Sequence, residues 1–244
     1  MKHYLDLIGI SERQHRRQTR MTRLCIALAV FLVTVIFGMA EMEMRSQMIQ
    51  AVKSDGSWHA GFAADTQQGA LLGERPEVEQ IARYGAVNYR LKDGYRIEGV
   101  ETCICGLDWN LLEMFPEVTI IEGTFPSRPE EAVLNETVKN RLGLQVGDKI
   151  SLTMPQGGNR QYKITGITKN TILTAEHDAF AMLLTVEGYD ALHTGETEAE
   201  AEMLYFVKFR NFCNIQRTIS DITTQFGFGP GQVRQNAKVL ALMF

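Results

Sequence analysis

The sequence lacks the motifs of common nucleotide-hydrolysing and hydrolytic enzymes. It contains no G-x-x-x-x-G-K-[ST] phosphate-binding loop, so any ATP hydrolysis would belong to a partner. It also contains no G-x-S-x-G and no H-E-x-x-H motif. Adjacent Glu176-His177-Asp178 would point in different directions on a loop, and no second His or Cys cluster has ligand spacing. We therefore predict a chain that is not an enzyme, with no catalytic, cofactor-binding or metal-binding residues.

Cysteine is also scarce, with four among 244 residues, too few for a disulfide scaffold. Cys25 lies in an apolar run. Cys103 and Cys105 are two apart on a predicted strand and share a face, but a direct bond at that spacing would be strained. Cys213 could pair with either one if the fold brings them together. We expect a fold that does not depend on disulfides.

One long apolar run, residues 24–40, has neither charge nor proline. A helix of this run is about 25 Å long at 1.5 Å per residue, just short of a hydrocarbon core of about 30 Å. The helical pattern continues to about Val52. The run is therefore interpreted as a transmembrane helix and its extension, residues 24–52.

Two alternatives remain for this run. A buried core helix would keep a polar stripe, whereas Thr34 is the run's one polar side chain. A cleaved signal peptide is compatible with Gly38-Met39-Ala40, but the 23-residue lead is long and the run exceeds an h-region of about 7–15 residues.

The charge distribution predicts the orientation. Residues 1–23 carry six basic and two acidic residues, a net +4, so the remainder carries −8 of the total −4. The positive-inside rule places this basic segment in the cytoplasm and the large domain outside the cell membrane.

Alternating and periodic patterns predict a mixture of strands and helices after the apolar run. Strands are expected at residues 58–64, 87–91, 95–104, 132–134, 150–154, 162–168, 179–185 and 203–209. Helices are expected at residues 76–84, 109–115 after Asp108, 135–143 after Asn135, and 212–226, which has the clearest amphipathic spacing. Lys92-Asp93-Gly94 is predicted to turn a hairpin.

The order of these elements favours an α+β fold. Strand–helix pairs at the two ends would pack together into a βαβ-type lobe, and residues 106–195 would form an inserted, mainly β lobe. The extracytoplasmic domain would span residues 53–235. Residues 236–244 would lead into a second membrane helix, since Val239 to Phe244 is far too short to span a bilayer.

Residues 120–154 resemble a known family. Gly123, Pro126, Glu131, Leu134 and Asn135, then Leu142-Gly143-Leu144 and Val146-Gly147-Asp148-Lys149-Ile150, are similar to the periplasmic core domain of MacB/FtsX-type ABC transporter permeases. Tyr162 to Ile167 resembles the strand that follows in those proteins, and Ser57-Trp58-His59 the start of the domain in one FtsX-like subgroup.

The resemblance implies a permease subunit that works with a separate ABC ATPase and acts on lipoproteins, peptides or toxic compounds. The implied partners are that ATPase, further permease helices or a second permease copy, and the lipid bilayer, with no nucleic acid. Such permeases have three more helices after the domain, so we expect the chain to be an incomplete permease.

The leading hypothesis is thus a membrane-anchored, non-enzymatic permease component of an ABC-type export or mechanotransmission system. The alternative is a standalone, single-pass extracytoplasmic binding or sensing module. Gly143, Gly147 and Asp148 are interpreted as turn residues in either case.

Overall fold

The computed structural model describes residues 16–169, 179–193, 203–210 and 214–243. The chain forms two compact units, Met1–Ile49 and Gln50–Phe244, which are described separately. In chain order the elements are α1 (Arg16–Asp55), β1 (Ala60–Ala64), α2 (Thr66–Gly73), β2 (Val78–Val87), β3 (Arg96–Ile97), β4 (Val100–Leu107), α3 (Trp109–Met114), β5 (Ile120–Gly123), β6 (Glu131–Asn135), α4 (Glu136–Leu142), β7 (Lys149–Thr153), β8 (Asn159–Thr168), β9 (Phe180–Leu184), α5 (Val186–His193), β10 (Met203–Phe209), α6 (Ile215–Phe226), β11 (Val233–Gln235) and α7 (Ala237–Leu242).

Helix α1 is 40 residues long and carries the apolar run of the first unit. The large apolar side chains of this run are exposed, and the rest of the protein covers none of its most apolar stretch. Beyond the run, Arg45 forms an ion pair with Glu41 at 2.6 Å, and Gln47 donates a hydrogen bond to Glu43 at 2.8 Å. In each pair the two residues are four positions apart, about one helical turn, so both contacts stabilise the helix. By length and composition, α1 can cross a membrane.

The open part of the sheet is built from both ends of the second unit. Its strand order is β11-β1-β10-β2-β4, with every neighbouring pair antiparallel. Strand β10 lies between β1 and β2, and β1 lies between β10 and β11. The order β1-α2-β2 and β10-α6-β11 is therefore two split β-α-β units, the ferredoxin-like arrangement. Residues 88–202 are an insertion between β2 and β10.

The strands of the insertion close on themselves. Strand β4 pairs with β3, β3 with β7, β7 with β8, β8 with β6, β6 with β9, and β9 returns to β4. This six-stranded ring is a small barrel, because closure removes both free edges. Strand β4 belongs to the open sheet and the ring at once, since its N-terminal residues pair with β3 and its C-terminal residues with β2.

Alternation along the strands separates two apolar clusters. Ile104, Leu134, Leu152, Ile164 and Met182 belong to one continuous core, which also includes the inner faces of α2 and α6. Their strand neighbours Cys103, Cys105, Val133 and Leu183 belong to the second cluster, which α3 covers with Leu111 and Met114. The period of two thus places successive side chains on opposite faces.

Two paired glycines make room for a buried aromatic ring. Gly85 of β2 and Gly106 of β4 lie opposite each other, and Tyr189 of α5 packs onto them. A Cβ atom at Gly106 would lie 2.3 Å from the Cβ of Tyr189, and one at Gly85 2.6 Å from its ring. Only glycine allows this close approach of helix and sheet.

The α+β class is confirmed, but the helix expected at residues 76–84 is wrong. That segment forms β2, which pairs with β10 on one side and β4 on the other. Two neighbouring strands satisfy its backbone and outweigh a local helical period. The strand expected at residues 87–91 is also wrong, because β2 ends at Val87 and both Asn88 and Leu91 have positive φ. The turn joining β3 to β4 is Glu98-Gly99.

The helix ends were predicted more accurately. Asp108 and Asn135 each accept a backbone N–H at the start of α3 and α4, as predicted. Asn214, which was expected inside the helix at residues 212–226, instead caps α6, so that helix begins at Ile215. Helices α4 and α6 end at Gly143 and Gly227, both in the left-handed conformation that glycine adopts readily. Helices α2 and α5 and strands β5 and β11 were not predicted.

Candidate functional site

The side chains that could bind a metal are dispersed in the described part of the chain. Within the described residues, no group of three His, Cys, Asp or Glu side chains could hold a metal ion. Glu176-His177-Asp178 and Cys213 lie outside the described residues. Asn135, the first residue of a formal glycosylation sequon, is buried and caps α4. Asp148 accepts the Gln145 N–H at 2.8 Å, as expected of a turn residue.

Cys103 and Cys105 are buried thiols. Their Sγ atoms are 3.8 Å apart, and the Tyr84 hydroxyl lies 3.7 Å from the Cys105 Sγ. The hydrogen bond with Cys103, together with burial, raises the pKa of Cys105 well above its ordinary value. The Cys105 thiol therefore stays protonated, and a protonated thiol is neither a good nucleophile nor a good metal ligand.

A polar region joins the two ends of the second unit. We call it the terminal junction, comprising residues 52–59, which enter the unit, and residues 235–239, which lead out of it. The Gly56 N–H donates to the Val52 carbonyl at 2.9 Å and closes the last turn of α1. Gly56 has φ of 88°, and a Cβ there would lie 2.9 Å from Trp58 Cδ1. Glycine is thus needed for the chain to turn here.

Asn236 connects the two segments of the junction. Its buried Nδ2 donates to the Gly56 carbonyl at 3.1 Å, and its backbone N–H donates to the His59 carbonyl at 3.1 Å. Its Oδ1 accepts the Val239 N–H at 3.3 Å and so caps α7. One amide side chain therefore satisfies groups on both segments.

Lys238 and Asp55 add an ion pair to the junction, with 2.8 Å between Nζ and Oδ2. Burial acts to raise the pKa of Asp55, but hydrogen bonds from Lys238 and Ser54 outweigh it and hold the pKa below its ordinary value. Trp58 Nε1 donates to the Asp55 carbonyl at 2.6 Å. Asp55 is thus bonded through its carboxylate to Lys238 and through its backbone carbonyl to Trp58.

His59 attaches the entering segment to the centre of the open sheet. Its N–H donates to the Val207 carbonyl at 2.8 Å, and its Nδ1 accepts the Phe209 N–H at 3.0 Å. Burial, and then the nearby Lys208 charge, lowers the pKa of His59 to about 4. The ring is therefore neutral near pH 7 and available as an acceptor, a structural role that the sequence did not reveal.

The entering segment of the terminal junction is tied to three other elements of the second unit. Direct hydrogen bonds link residues 55–59 to β10, to α3 through Ser57, and to the start of α7. The entering segment is thus bonded directly to the sheet and to the exiting segment.

The profile of the MacB-like periplasmic core domain family matches residues 19–225. The chain belongs to this family. The resemblance to MacB/FtsX-type ABC permeases is confirmed, and the MacB-like domain follows a helix apolar enough to cross a membrane. Permeases of this type work with ABC ATPase partners.

One solved structure agrees with this assignment at the level of fold. The periplasmic region of MacB from Actinobacillus actinomycetemcomitans is 8% identical, with a TM-score of 0.54 over 79% of this chain and 94% of that one. The extracellular domain of the ABC-type transporter YknZ from Gram-positive bacteria is 10% identical, with a TM-score of 0.48 over 73% of this chain and 98% of that one. Among curated protein sequences, none matches this MacB-like chain.

Proposed function

We propose that the chain is a membrane-anchored, non-enzymatic permease component of an ABC-type export or mechanotransmission system. A separate ABC ATPase hydrolyses ATP, and further permease helices or a second permease copy complete the assembly in the bilayer. The MacB-like domain moves on the outer side and acts on a peptide or lipoprotein.

The terminal junction is the observation that carries this proposal. A domain that only displayed a binding surface could hang from its anchor by a flexible linker, as tethered modules do. Here the residues that follow α1 are bonded to β10, to α3 and to α7, with Asn236 satisfied on both sides. Such contacts pass motion from the membrane side into the sheet.

The proposed topology has the N-terminus in the cytoplasm, residues 24–52 of α1 as the transmembrane helix and its extension, and the domain of residues 53–235 outside. The four arginines at positions 16, 17, 20 and 23 precede the apolar run, and Glu41 and Glu43 follow it. This asymmetry matches the positive-inside rule, and the cationic end would meet anionic lipid headgroups.

Purification of the tagged full chain from its native membranes tests the functional proposal. The expected result is a co-purifying ATPase that contains a phosphate-binding loop, in fixed ratio to the chain. After reconstitution into nanodiscs, ATP hydrolysis is expected in the complex and not in the chain alone. A chain that purifies without any ATPase, yet binds a peptide as a stable monomer, would instead support the standalone binding or sensing module.

Cysteine labelling tests the orientation. In a Cys25→Ser, Cys213→Ser background, Ser220→Cys places a thiol on an exposed position of α6, and Gln18→Cys places one on the basic side of α1. A membrane-impermeant maleimide applied to spheroplasts or protoplasts should label the first variant and spare the second until the cells are lysed. The reverse pattern would contradict the proposed topology.

A further inference from the structure

Four methionines lie close together on α1, at the end of the apolar run and just beyond it. They are Met39, Met42, Met44 and Met48, and we call residues 39–48 the methionine segment. The chain has 11 methionines among 244 residues, so an even distribution would place less than one in a segment of this length. This part of α1 is therefore strongly enriched in thioether sulfur.

Contact with lipid does not account for this enrichment. Residues 24–38 supply the apolar surface of the run with Leu, Ile, Val, Phe and Ala, and they include no methionine. After them, methionine alternates with the carboxylates Glu41 and Glu43. In the second unit, by contrast, Met114 and Met182 are fully buried and fill the core, as methionine commonly does. The methionine segment thus differs in use from both the membrane run and the core.

The helical spacing arranges the four side chains as two pairs. Met39 and Met42 are three residues apart, and Met44 and Met48 are four apart, so within each pair the Cβ atoms are about 5–6 Å from each other on one face of α1. A methionine side chain has three rotatable bonds, so two sulfur atoms at this separation can converge on one ion. Met39, Met42 and Met44 are more than half exposed, and Met48 is partly exposed. The thioethers are therefore accessible from solvent.

Each pair also has a carboxylate at helical spacing. Glu43 is four residues after Met39, and Glu41, which forms the ion pair with Arg45, is three residues before Met44. Two glutamates and one arginine give the methionine segment a net charge of −1. Negative charge beside the sulfur atoms attracts a cation and repels an anion, so these surroundings favour a cationic ligand.

We propose that the methionine segment binds a soft monovalent cation, Cu⁺ or Ag⁺, between the two thioethers of each pair. Thioether sulfur is a soft ligand that selects Cu⁺, whereas Mg²⁺ and Ca²⁺ take oxygen ligands. Unlike a thiol, a thioether needs no deprotonation and forms no disulfide, so it remains a ligand in an oxidising compartment.

This site departs from the expectation of a chain without metal-binding residues, because its ligands are thioethers rather than His, Cys or carboxylate side chains. In the proposed orientation, the methionine segment lies at the outer side of the membrane. Binding of the cation requires no ATPase, so the inference stands apart from the proposed coupling role.

NMR spectroscopy of the full chain in detergent, with ¹³C in the methionine methyl groups, tests the proposal. The probe is Ag⁺, added as silver nitrate, because it needs no reductant. Cys25→Ser and Cys213→Ser remove two thiols that would compete for it, of which Cys25 is exposed. Ag⁺ should shift the methyl signals of the four methionines in the segment but not those of the buried Met114 and Met182. Sodium nitrate should shift none of them.

Leucine variants separate coordination by sulfur from apolar packing, because leucine has a similar volume and helix propensity but no sulfur. Replacing all four methionines of the segment should weaken Ag⁺ binding at least about tenfold in a calorimetric titration, since even the loss of a residue that only orients a metal ligand costs about 10–100-fold. Met21→Leu is the matched control and should change nothing, because Met21 is an exposed methionine of α1 with no other methionine one turn away.

The dependence on pH identifies the ligand type. Affinity should be equal at about pH 7 and about pH 5, because thioethers do not titrate, whereas sites made of His or thiol ligands weaken as these ligands are protonated. A loss of affinity at the lower pH, unchanged affinity in the four-leucine variant, or no methyl shift up to about 1 mM Ag⁺ would each overturn the inference. Circular dichroism checks that the variants fold, and the comparison of Ag⁺ with Na⁺ on the chain that keeps its methionines decides the question even if a variant does not.

Discussion

Replacing Asn236 by alanine should destabilise the MacB-like domain more than the loss of a helix cap alone. The change removes the Oδ1 acceptor for the Val239 N–H, and loss of such a cap costs about 1 kcal/mol. It also removes the Nδ2 donor to the Gly56 carbonyl, and a buried polar group left without its partner costs about 1–3 kcal/mol. The expected decrease in the free energy of unfolding is therefore about 2–4 kcal/mol.

Asn214→Ala is the matched control. Asn214 is also an asparagine at a helix start, where its Oδ1 accepts the Arg217 N–H at 3.2 Å, but it is exposed. Its replacement should cost about 1 kcal/mol. Asn236→Ser provides a second comparison, because serine caps a helix but is too short to reach the Gly56 carbonyl.

Urea denaturation of the full chain in detergent, followed by circular dichroism and tryptophan fluorescence, measures these differences. For a unit of this size, about 2–4 kcal/mol corresponds to a decrease in Tm of about 4–16 °C. Equal losses for Asn236→Ala and Asn214→Ala would refute the argument, since the bond to Gly56 would then contribute nothing. The same reconstituted variants can be compared for ATP hydrolysis once a partner is in hand.

Further predictions concern the sheet and its buried titrating groups. Gly106→Ala should destabilise the domain by about 1–3 kcal/mol, because the added Cβ would overlap Tyr189. Gly73→Ala is the control in the same urea titration. Its Cβ would lie 3.5 Å from the nearest atom and the residue is in a helix, so this change should stabilise the domain by up to about 1 kcal/mol. The pKa of His59 is lowered to about 4 in the folded state, so the unfolded chain binds the proton first as pH falls. The free energy of unfolding should therefore decrease by up to about 3 kcal/mol between about pH 6.5 and pH 4. A His59→Gln variant that keeps the same pH dependence would contradict this assignment. Cys103 and Cys105 should react with a maleimide only after denaturation, as mass spectrometry would show, and rapid labelling of the native chain would mean that the second apolar cluster opens.

Local chemistry made several elements of this fold predictable. Asp108 and Asn135 mark helix starts, and Gly143 and Gly227 mark ends, because these choices depend on the few residues around each cap. The apolar run of α1 was equally clear, since no folded partner is needed to recognise an uncharged stretch of that length. The transmembrane helix was predicted on this basis, whereas the MacB-like domain was predicted from the resemblance of residues 120–154 to a known family.

Long-range pairing could not be predicted from local pattern. Residues 76–84 have helical spacing, yet residues 78–87 form a central strand because they pair with β10, more than 100 residues away in sequence. The ring closure through β4 and β9 depends on pairing across the whole insertion. Asn88 illustrates the same limit. Its side-chain amide donates hydrogen bonds to Tyr95, Glu101 and Thr102, and the chain turns at this residue although the local pattern predicted a strand at residues 87–91.

The terminal junction was also beyond sequence reasoning, although each of its residues is ordinary. Asn236 and Gly56 are 180 residues apart, and only folding brings them within hydrogen-bond distance. His59 could be placed on a strand, but its neutral, accepting state follows from burial against β10.

Because β4 pairs with strands of both the open sheet and the barrel, the insertion cannot be removed without exposing an edge of the open sheet. Its two ends emerge from adjacent strands, so relatives could exchange barrels of different outline at this position while keeping the same four-stranded platform. Any such graft must bring its own β4, or the flank of β2 would be left open to pair with another molecule. Chimaeras that lose residues 96–107 without an equivalent strand in the graft should therefore aggregate, and those whose graft supplies such a strand should remain soluble in detergent.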